Sequence, residues 1–493
     1  MKINISDSHL KVAGIILLLI IAYFPVFLHL ENLSIREWDE ARRSVNAYEM
    51  YQDGNYLVQR FEGQVDMWNT KPLLLNWLQA LGMHIFGPGE LALRLPSAIA
   101  AYLLIIGLLF FTNKYTKTYW FGIFTVLVLI TANGYIQKHA TRTGDYDSLL
   151  TMFTTFYCLA FFSYFEFRRT WILYLAFILL TFAVLTKGVM GLFFAPGLLL
   201  YIILRRELIG LLKNKHLYFG MLIFTFLTLG FYLLRESVTP GYLEAVYNNE
   251  LGGRYLQVVE EHKEGYWFYL QILYDTFFKE WFWFIPLGLI AGFFVRVKQI
   301  RRLTLFSFVM IITYFLVISS SQTKLYWYGT PMYPFLAMIC AVFIYFIFTL
   351  IRDRVKFVPA WANVLILAIL VGGLYFRPYK KVVSRIYNEQ AGSWEQATFE
   401  MQYFLRNAIE NKTDLQDYGI IHEGHTVPLM LYVYQLNEKG MNLTFMKKED
   451  LHKGNHVISD QKHVQEYIEG NYNFKILYTG INLKIYEITG GDS

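Results

Sequence analysis

Apolar residues in this chain arrive in blocks long enough to cross a lipid bilayer, and that pattern excludes an ordinary soluble fold. A hydrocarbon core of ~30 Å takes about 20 helical residues at ~1.5 Å rise each. Eleven such blocks centre on 12–30, 93–111, 120–134, 147–165, 171–185, 189–204, 217–234, 281–296, 303–319, 329–350 and 359–376. Polar loops separate them, and the 493 residues are 55% hydrophobic and 18% aromatic. Backbone polar groups in lipid must be satisfied internally, so these blocks are predicted to be helices. The expected fold is therefore a polytopic α-helical membrane protein with about eleven or more spans over 1–376. The first block is followed by no small-x-small cleavage pattern and reads as a retained anchor rather than a signal peptide. Cys158 and Cys340 both fall inside spans, which leaves no disulfide framework.

Charge gives the orientation. The net charge of +6 does not speak for nucleic acid, because the basic residues gather in loops between spans. Lys114, Lys117, Arg168, Arg169, Arg205, Arg206, Lys213 and Lys215 share one side with Arg296, Lys298, Arg301, Arg302, Arg352, Arg354 and Lys356. By the positive-inside rule that side is cytoplasmic. Alternation then puts 31–92, 135–146, 235–280, 320–328 and 377–493 outside, in a multi-pass protein of the cell inner (plasma) membrane. Within the first outer loop, 31–92, the stretches 39–53 and 72–86 have mixed-face helical periodicity and are expected to lie along the interface. After Arg377 the composition becomes that of a soluble domain, so 377–493 is expected to fold separately as an extracytoplasmic α/β domain. Its predicted elements are helices over 394–409 and 427–436 and strands over 418–422, 442–446, 456–459, 475–478 and 483–488.

Several charged residues from separate segments emerge on the outer side. Asp39 and Glu40 follow the first span and open a helix with Ala41, Arg42 and Arg43. Acids there suit the positive end of a helix dipole, and they equally suit chemistry at the membrane face. Lys71 precedes Pro72 and a helix start, a place for a phosphate or for a lysine reaching to the headgroups. Asp147 stands where a short outer loop enters a span, with Arg142 as a candidate partner, since a carboxylate at that depth must work or pair. Lys187 sits in a short turn between spans, as a loop charge or facing a cavity. Lys324 and Tyr328 precede Pro331 and Pro334, as an aromatic belt or as part of a site. No metal motif, Ser-His-Asp pattern, Gly-rich phosphate loop or nucleotide fingerprint occurs, and His262 is isolated.

Taken in order, these motifs resemble those of the integral-membrane glycosyltransferases of the GT-C fold. The closest branch contains the lipid A aminoarabinose transferase and bacterial relatives of the protein O-mannosyltransferases. The matching elements are Asp39-Glu40-Ala41-Arg42, Lys71-Pro72-Leu73, Arg142 with Asp147-Ser148-Leu149-Leu150, Leu185-Thr186-Lys187-Gly188, Arg254 with His262 and Trp267-Phe268-Tyr269-Leu270, and Lys324 with Tyr328. The resemblance implies transfer of a sugar from a polyprenyl-phosphate donor to lipid A, another glycolipid or a protein on the outer face, with inversion. It assigns catalysis to Asp39, as base, and Asp147; donor-phosphate contact to Lys71, Arg254, Lys324 and Tyr328; and substrate contact to Glu40, Arg42, Arg142 and His262. Relatives often carry an acid immediately before the lysine, where this chain has Thr70, so no metal and no other cofactor is expected. The competing readings are a transporter or lipid flippase, which calls for charges at mid-span, and a non-catalytic scaffold, which leaves the one-sided motifs unexplained.

Overall fold

Most of each apolar block lies in helix, although the block 189–204 is split into a 3₁₀ turn, Gly188–Leu192, and the helix Ala195–Leu204, and the helix of block 120–134 ends at Ile130. The structure, a computed structural model, describes residues 7–255, 257–258, 262–354, 360–388 and 396–491. Among them six helices are long and apolar enough to cross a membrane: Glu90–Thr116, Tyr146–Phe167, Thr170–Leu192, Lys215–Val238, Lys298–Ser320 and Tyr326–Arg354. Shorter apolar helices occupy Val12–Phe27, Tyr119–Ile130, Ala195–Leu204 and Phe284–Phe294. Pro331 ends a 3₁₀ turn, Tyr326–Met332, before the α-helix Tyr333–Arg354 begins. A proline there has no N–H to lose from the α-helical ladder.

Helix Tyr146–Phe167 is the central post, with 89% of its apolar window buried, against 17% for Lys215–Val238 at the periphery. The outward side chains of the peripheral helix, Leu222, Phe226 and Leu229, are apolar and suit contact with lipid tails. The two ends of the post differ in chemistry. At its C-terminal end Glu166 accepts from Arg205 and Arg302, each at 2.6 Å, and from the Tyr115 hydroxyl at 2.9 Å. At its N-terminal end, roughly 30 Å away along the 22 residues, Tyr146 and Asp147 enter the outer-loop charge cluster described below.

The first outer loop forms the helices Asp39–Asp53 and Leu74–Phe86 joined through a small hairpin, β1 (Arg60–Phe61) against β2 (Gln64–Val65). At the C-terminal end of the chain a five-stranded sheet is built from β3 (Tyr418–Ile420), β4 (Thr444–Phe445), β5 (His456–Ser459), β6 (Tyr472–Thr479) and β7 (Lys484–Gly491). The order is β4-β3-β5-β7-β6, parallel over the first three and antiparallel beyond. Helices Gln396–Asn411, Val427–Glu438 and Lys462–Asn471 flank it, the last of which the sequence reading omits.

Two expectations about this unit change. The helix expected to end near 376 runs from Ala360 to Tyr387, so Arg377 lies inside a helix and not at a boundary. Nor does the unit close its core alone. One side of the sheet has its own cluster of Val457, Val464, Ile468 and Tyr486. On the other, Met401, Leu405, Leu429, Leu431 and Tyr432 share a core with Ala41, Ala47, Tyr48, Met83 and Leu93 of the first outer loop and the span it joins. Polar contacts tie the same seam: Tyr432 donates to Glu90 at 2.7 Å, accepts from the Ile35 N–H at 3.1 Å, and Arg406 pairs with Glu90 at 3.1 Å. Apolar surface in a shared core cannot be removed from one partner without exposing the other. A chain ending at Asn388 is therefore expected to keep its inserted helices but lose order in 31–92. Limited proteolysis would read this as new cleavage within 31–92; an unchanged cleavage pattern would show that the first outer loop folds without the sheet.

Candidate active site

Charge organises the first outer helix before any substrate is considered. Glu40, in its first turn, is fully buried and turns away from the cavity. It takes two bonds at 2.8 Å from Arg94, together with the N–H groups of Arg36 (3.0 Å) and Gly144 (2.9 Å). Burial alone would raise the Glu40 pKa, but Arg94 and the two N–H donors outweigh it and hold the carboxyl below its usual range. Gly144 sits close to its neighbours: a Cβ there would lie 2.9 Å from Gln79 Nε2 and 3.0 Å from the Leu93 carbonyl, so a larger residue would have to displace them. Glu40 thus occupies a structural position, and the substrate contact implied for it by resemblance is replaced by the Arg94 pair.

Asp39, one residue earlier, points the other way. It is half-buried, 3.3 Å from Arg43 Nη2 and 3.9 Å from His139 Nδ1. It lines a polar cavity of about 230 Å³ with Arg42, Arg43, Asn69, Lys71, Tyr146, Lys187, Glu250 and Tyr328. Each cation in that wall has a carboxylate partner. Arg42 forks onto Asp66 at 2.7 and 2.9 Å. Arg43 bonds Asp145, Lys71 bonds Glu250, and Lys187 reaches both oxygens of Asp147 at 2.7 Å. Asp66 and Asp145 are buried, which raises a carboxyl pKa, yet Arg42 and Arg43 with added donors bring both below the usual value. The partner of Asp147 is Lys187 at the end of its helix, not Arg142.

A second, apolar cavity of about 190 Å³ adjoins the first, walled by Val189, Met190, Phe193, Val317 and Ile318. Lys71, Glu250 and Tyr328 belong to both. The arrangement suits an amphiphile with an anionic junction: a polar head beside Asp39, an anion at Lys71, a hydrocarbon tail along the groove.

The residues singled out from the sequence fall into distinct places. Asp39, Arg42, Lys71 and Tyr328 line the polar cavity, and Asp147 supports it through Lys187. Arg142 is buried, donating to the Val26 and His29 carbonyls at 3.2 Å, and is outside the cavity wall. Lys324 donates to the Ser321 carbonyl and His262 accepts from the Lys324 N–H at 3.1 Å; neither lines either cavity. The side chain of Arg254 lies outside the described residues. Sequence reading passed over Glu250, His139, Asp145 and Tyr146. Asp145 and Tyr146 adjoin Asp147 and were discoverable by proximity. Glu250, in a polar loop 179 residues from Lys71, carries no local signal.

Comparison with known proteins bears on this geometry. Residues 70–232 match the family described as dolichyl-phosphate-mannose-protein mannosyltransferase. An uncharacterised protein of Aquifex aeolicus is 25% identical over 334 residues, 67% of this chain and 64% of that protein. The undecaprenyl phosphate-alpha-4-amino-4-deoxy-L-arabinose arabinosyl transferase of Shewanella sediminis is 26% identical over 265 residues, 52% of this chain and 47% of its own. The crystal structure of ArnT from Cupriavidus metallidurans bound to undecaprenyl phosphate superposes with a TM-score of 0.70 at 15% identity, covering 98% of each chain. The fold is therefore that of the GT-C membrane glycosyltransferases. The chain spans less than two thirds of the length of these two relatives, the Aquifex aeolicus protein and the Shewanella sediminis transferase.

The Glu40–Arg94 pair generates a stability prediction. Glu40→Gln leaves Arg94 buried and uncompensated, a loss of about 3–5 kcal/mol for such pairs. Because the folded pKa of Glu40 is lowered, its contribution is complete above the unfolded value and declines as pH falls through the folded one. Thermal unfolding of purified protein should give a lower Tm for Glu40→Gln at neutral pH, with the gap to wild type narrowing in acid. Equal Tm values at neutral pH would contradict the assignment.

Proposed function

We propose that this chain transfers a sugar from a polyprenyl-phosphate donor to an acceptor hydroxyl at the outer membrane face, with inversion at the anomeric carbon and Asp39 as base. The observation that carries the reading is the junction of a polar cavity and an apolar groove at Lys71 and Tyr328. In this reading the prenyl chain lies along Val189, Phe193 and Ile318, the phosphate meets Lys71, and the sugar projects toward Asp39. The acceptor oxygen attacks the anomeric carbon on the face opposite the phosphate. Its bond to carbon forms as the carbon–oxygen bond to phosphate breaks, the phosphate leaves with the electron pair, and Asp39 takes the hydroxyl proton. Lys71 meets the charge that develops on the leaving phosphate. Arg43, 3.3 Å from Asp39, favours the ionised carboxylate that the base role needs.

The outer location is supported by the distribution of loop charge, with Arg205 and Arg302 at the opposite end of the central post. A glycolipid or a protein would serve as acceptor. Asp39, His139 and Asp145 bring donor atoms within 4.8 Å of one another, yet we assign no metal there, because the Arg43 guanidinium already sits on Asp145 and beside Asp39. The charged groups described collect at the ends of the helices rather than at mid-span, which favours a transferase over a transporter or flippase.

Asp39→Asn keeps the shape and removes the base. Sugar transfer, or release of lipid phosphate from a labelled undecaprenyl-phosphate sugar, should be lost while lipid binding persists; turnover near wild type would refute the base.

The Lys71–Glu250 pair makes a second prediction of opposite signs. Glu250 holds Lys71 and Thr70, the place the donor phosphate takes in this reading, so the two anions compete. Lys71→Ala should weaken binding of undecaprenyl phosphate by roughly 1–3 kcal/mol, the worth of a charge-assisted bond. Glu250→Gln should strengthen it several-fold. A Glu250→Gln variant that binds the lipid more weakly would place the carboxylate among the groups that hold the donor instead.

A further inference from the structure

Arg235 is fully buried at the outer end of the peripheral helix Lys215–Val238, and the reaction described so far gives it no task. Its Nη1 reaches Thr239 Oγ1 at 3.4 Å, and among the described residues Nε and Nη2 have no hydrogen-bond partner. Thr239 brings no negative charge. A guanidinium buried on those terms is costly, so its flat face is where its use is found. The guanidinium carbon lies 4.6 Å from the ring centroid of Tyr242, a cation set on the π face of a buried phenol.

The turn before Tyr242 fixes where that phenol stands. Gly241 is left-handed, φ 91°, and Glu236 accepts the N–H groups of Gly241 at 2.9 Å and Leu243 at 2.7 Å. The ring packs on Arg235 and also on Tyr232, 6.1 Å away and 24° from parallel. Its hydroxyl then donates to the Thr70 carbonyl at 2.9 Å, across 172 residues of sequence. That carbonyl shares one rigid peptide plane with the N–H and Cα of Lys71, and Pro72 narrows the backbone freedom of Lys71 from the other side. Holding the Thr70 oxygen therefore holds the point from which the Lys71 side chain projects. The same outer segment grips the loop at two further carbonyls, where Asn249 Nδ2 donates to Met67 at 3.0 Å and to Trp68 at 3.2 Å.

We propose that Tyr242, carried on Arg235, is a positioning residue for Lys71, holding its peptide so that the ammonium meets the donor phosphate. This rests on Lys71 being the phosphate contact. Neither Arg235 nor Tyr242 lines either cavity, so both act through the loop and not on the lipid. Arg235 fixes the ring and, as a cation on its face, makes the hydroxyl a stronger donor. Burial raises the Tyr242 pKa and Arg235 opposes the rise, in keeping with that role. Glu250 also holds Thr70 and Lys71, but in the proposed reaction the phosphate displaces it. The Tyr242 bond is made to backbone and stays in place.

Two substitutions test the chain of contacts. Tyr242→Phe deletes the hydroxyl and keeps the ring on Arg235; Arg235→Met keeps the reach of the side chain and removes its charge. Binding of undecaprenyl phosphate to full-length purified protein is compared with binding of undecaprenol, which has the same tail and no phosphate. Tyr242→Phe should weaken undecaprenyl phosphate by about 3- to 10-fold, leave undecaprenol unchanged, and add nothing when made on Lys71→Ala. Arg235→Met should weaken the phosphate lipid in the same sense, again only while Lys71 is present. Wild-type affinity for undecaprenyl phosphate in either variant overturns the proposal. So does an equal loss for undecaprenol, or a loss that persists at full size on Lys71→Ala, since either marks Tyr242 as part of the scaffold. Lys71→Ala measured alone separates the failures. If it weakens the phosphate lipid and Tyr242→Phe does not, the positioning role alone fails; if it leaves binding unchanged, the assignment of Lys71 to the phosphate fails with it.

Discussion

The buried pair of Glu40 and Arg94 is the contact on which the half of the molecule around the cavity depends. Arg94 belongs to the span Glu90–Thr116 and spends every side-chain nitrogen: on Glu40, and on the carbonyls of Leu30, Leu33 and Ser34 at 2.6–2.9 Å. Glu40 in turn gathers Arg36 and Gly144. One ion pair thus pins four segments: the chain leaving the first span, the first outer helix, the start of a long span, and the loop that delivers Asp145 and Asp147. Two charges without water around them persist because almost every lone pair and N–H is used. The pair also decides where Asp39 goes. With Glu40 facing inward, its neighbour in the first helical turn must face the cavity.

The same rule runs through the cavity wall, where each cation is matched to a carboxylate, and the matches are not equivalent. Asp66, Asp145 and Asp147 are buried and multiply bonded, so exchanging any of them for a ligand anion would strand a charge. Glu250 differs. It sits on a π-helical turn, Tyr247–Tyr255, rather than in the helical frame, and lies where polar cavity and apolar groove meet. In the proposed reaction a lipid phosphate arriving there would replace one anion by another with Lys71 never left unpaired. That would let it enter without a large electrostatic barrier, and it would separate this exchangeable pair from the three that build the site.

How much of this could be read from sequence follows from the range of each interaction. The helices were legible because burial in lipid imposes a local composition, and strand β5 was placed at His456–Ser459 because a short run with β-branched Val457 and Ile458 is an equally local signal. Asp39, Arg42, Lys71 and Tyr328, which the ordered motifs single out, line the polar cavity. Glu40 and Arg142 were misjudged because adjacent residues on a helix or loop face opposite ways, and sequence order does not say which. Glu250 and the Lys187–Asp147 pair were missed for another reason. Their partners lie 40 to 180 residues away, and pairing at that range leaves no period behind. The shared core of the sheet escaped likewise, since Leu429, Leu431 and Tyr432 look the same whether they pack on their own domain or on Ala41 and Met83.

That shared core reaches the reaction centre through one strained residue. Trp38, immediately before Asp39, has φ 61° and ψ −101°, a conformation a side-chain-bearing residue avoids at a cost of ~1–3 kcal/mol. The neighbours that hold it come from the C-terminal unit. His425 stacks on the Trp38 indole at 4.5 Å and binds Glu37 at 2.7 Å, and Thr398 donates to the other Glu37 oxygen at 3.1 Å. The turn at Trp38 swings the chain from the buried face of Glu37 to the cavity face of Asp39. Contacts made by residues about 360 to 390 positions later thus offset the strain that aims Asp39. The sheet contributes none of the cavity-lining residues described here, yet it braces the backbone on which the central carboxylate is mounted.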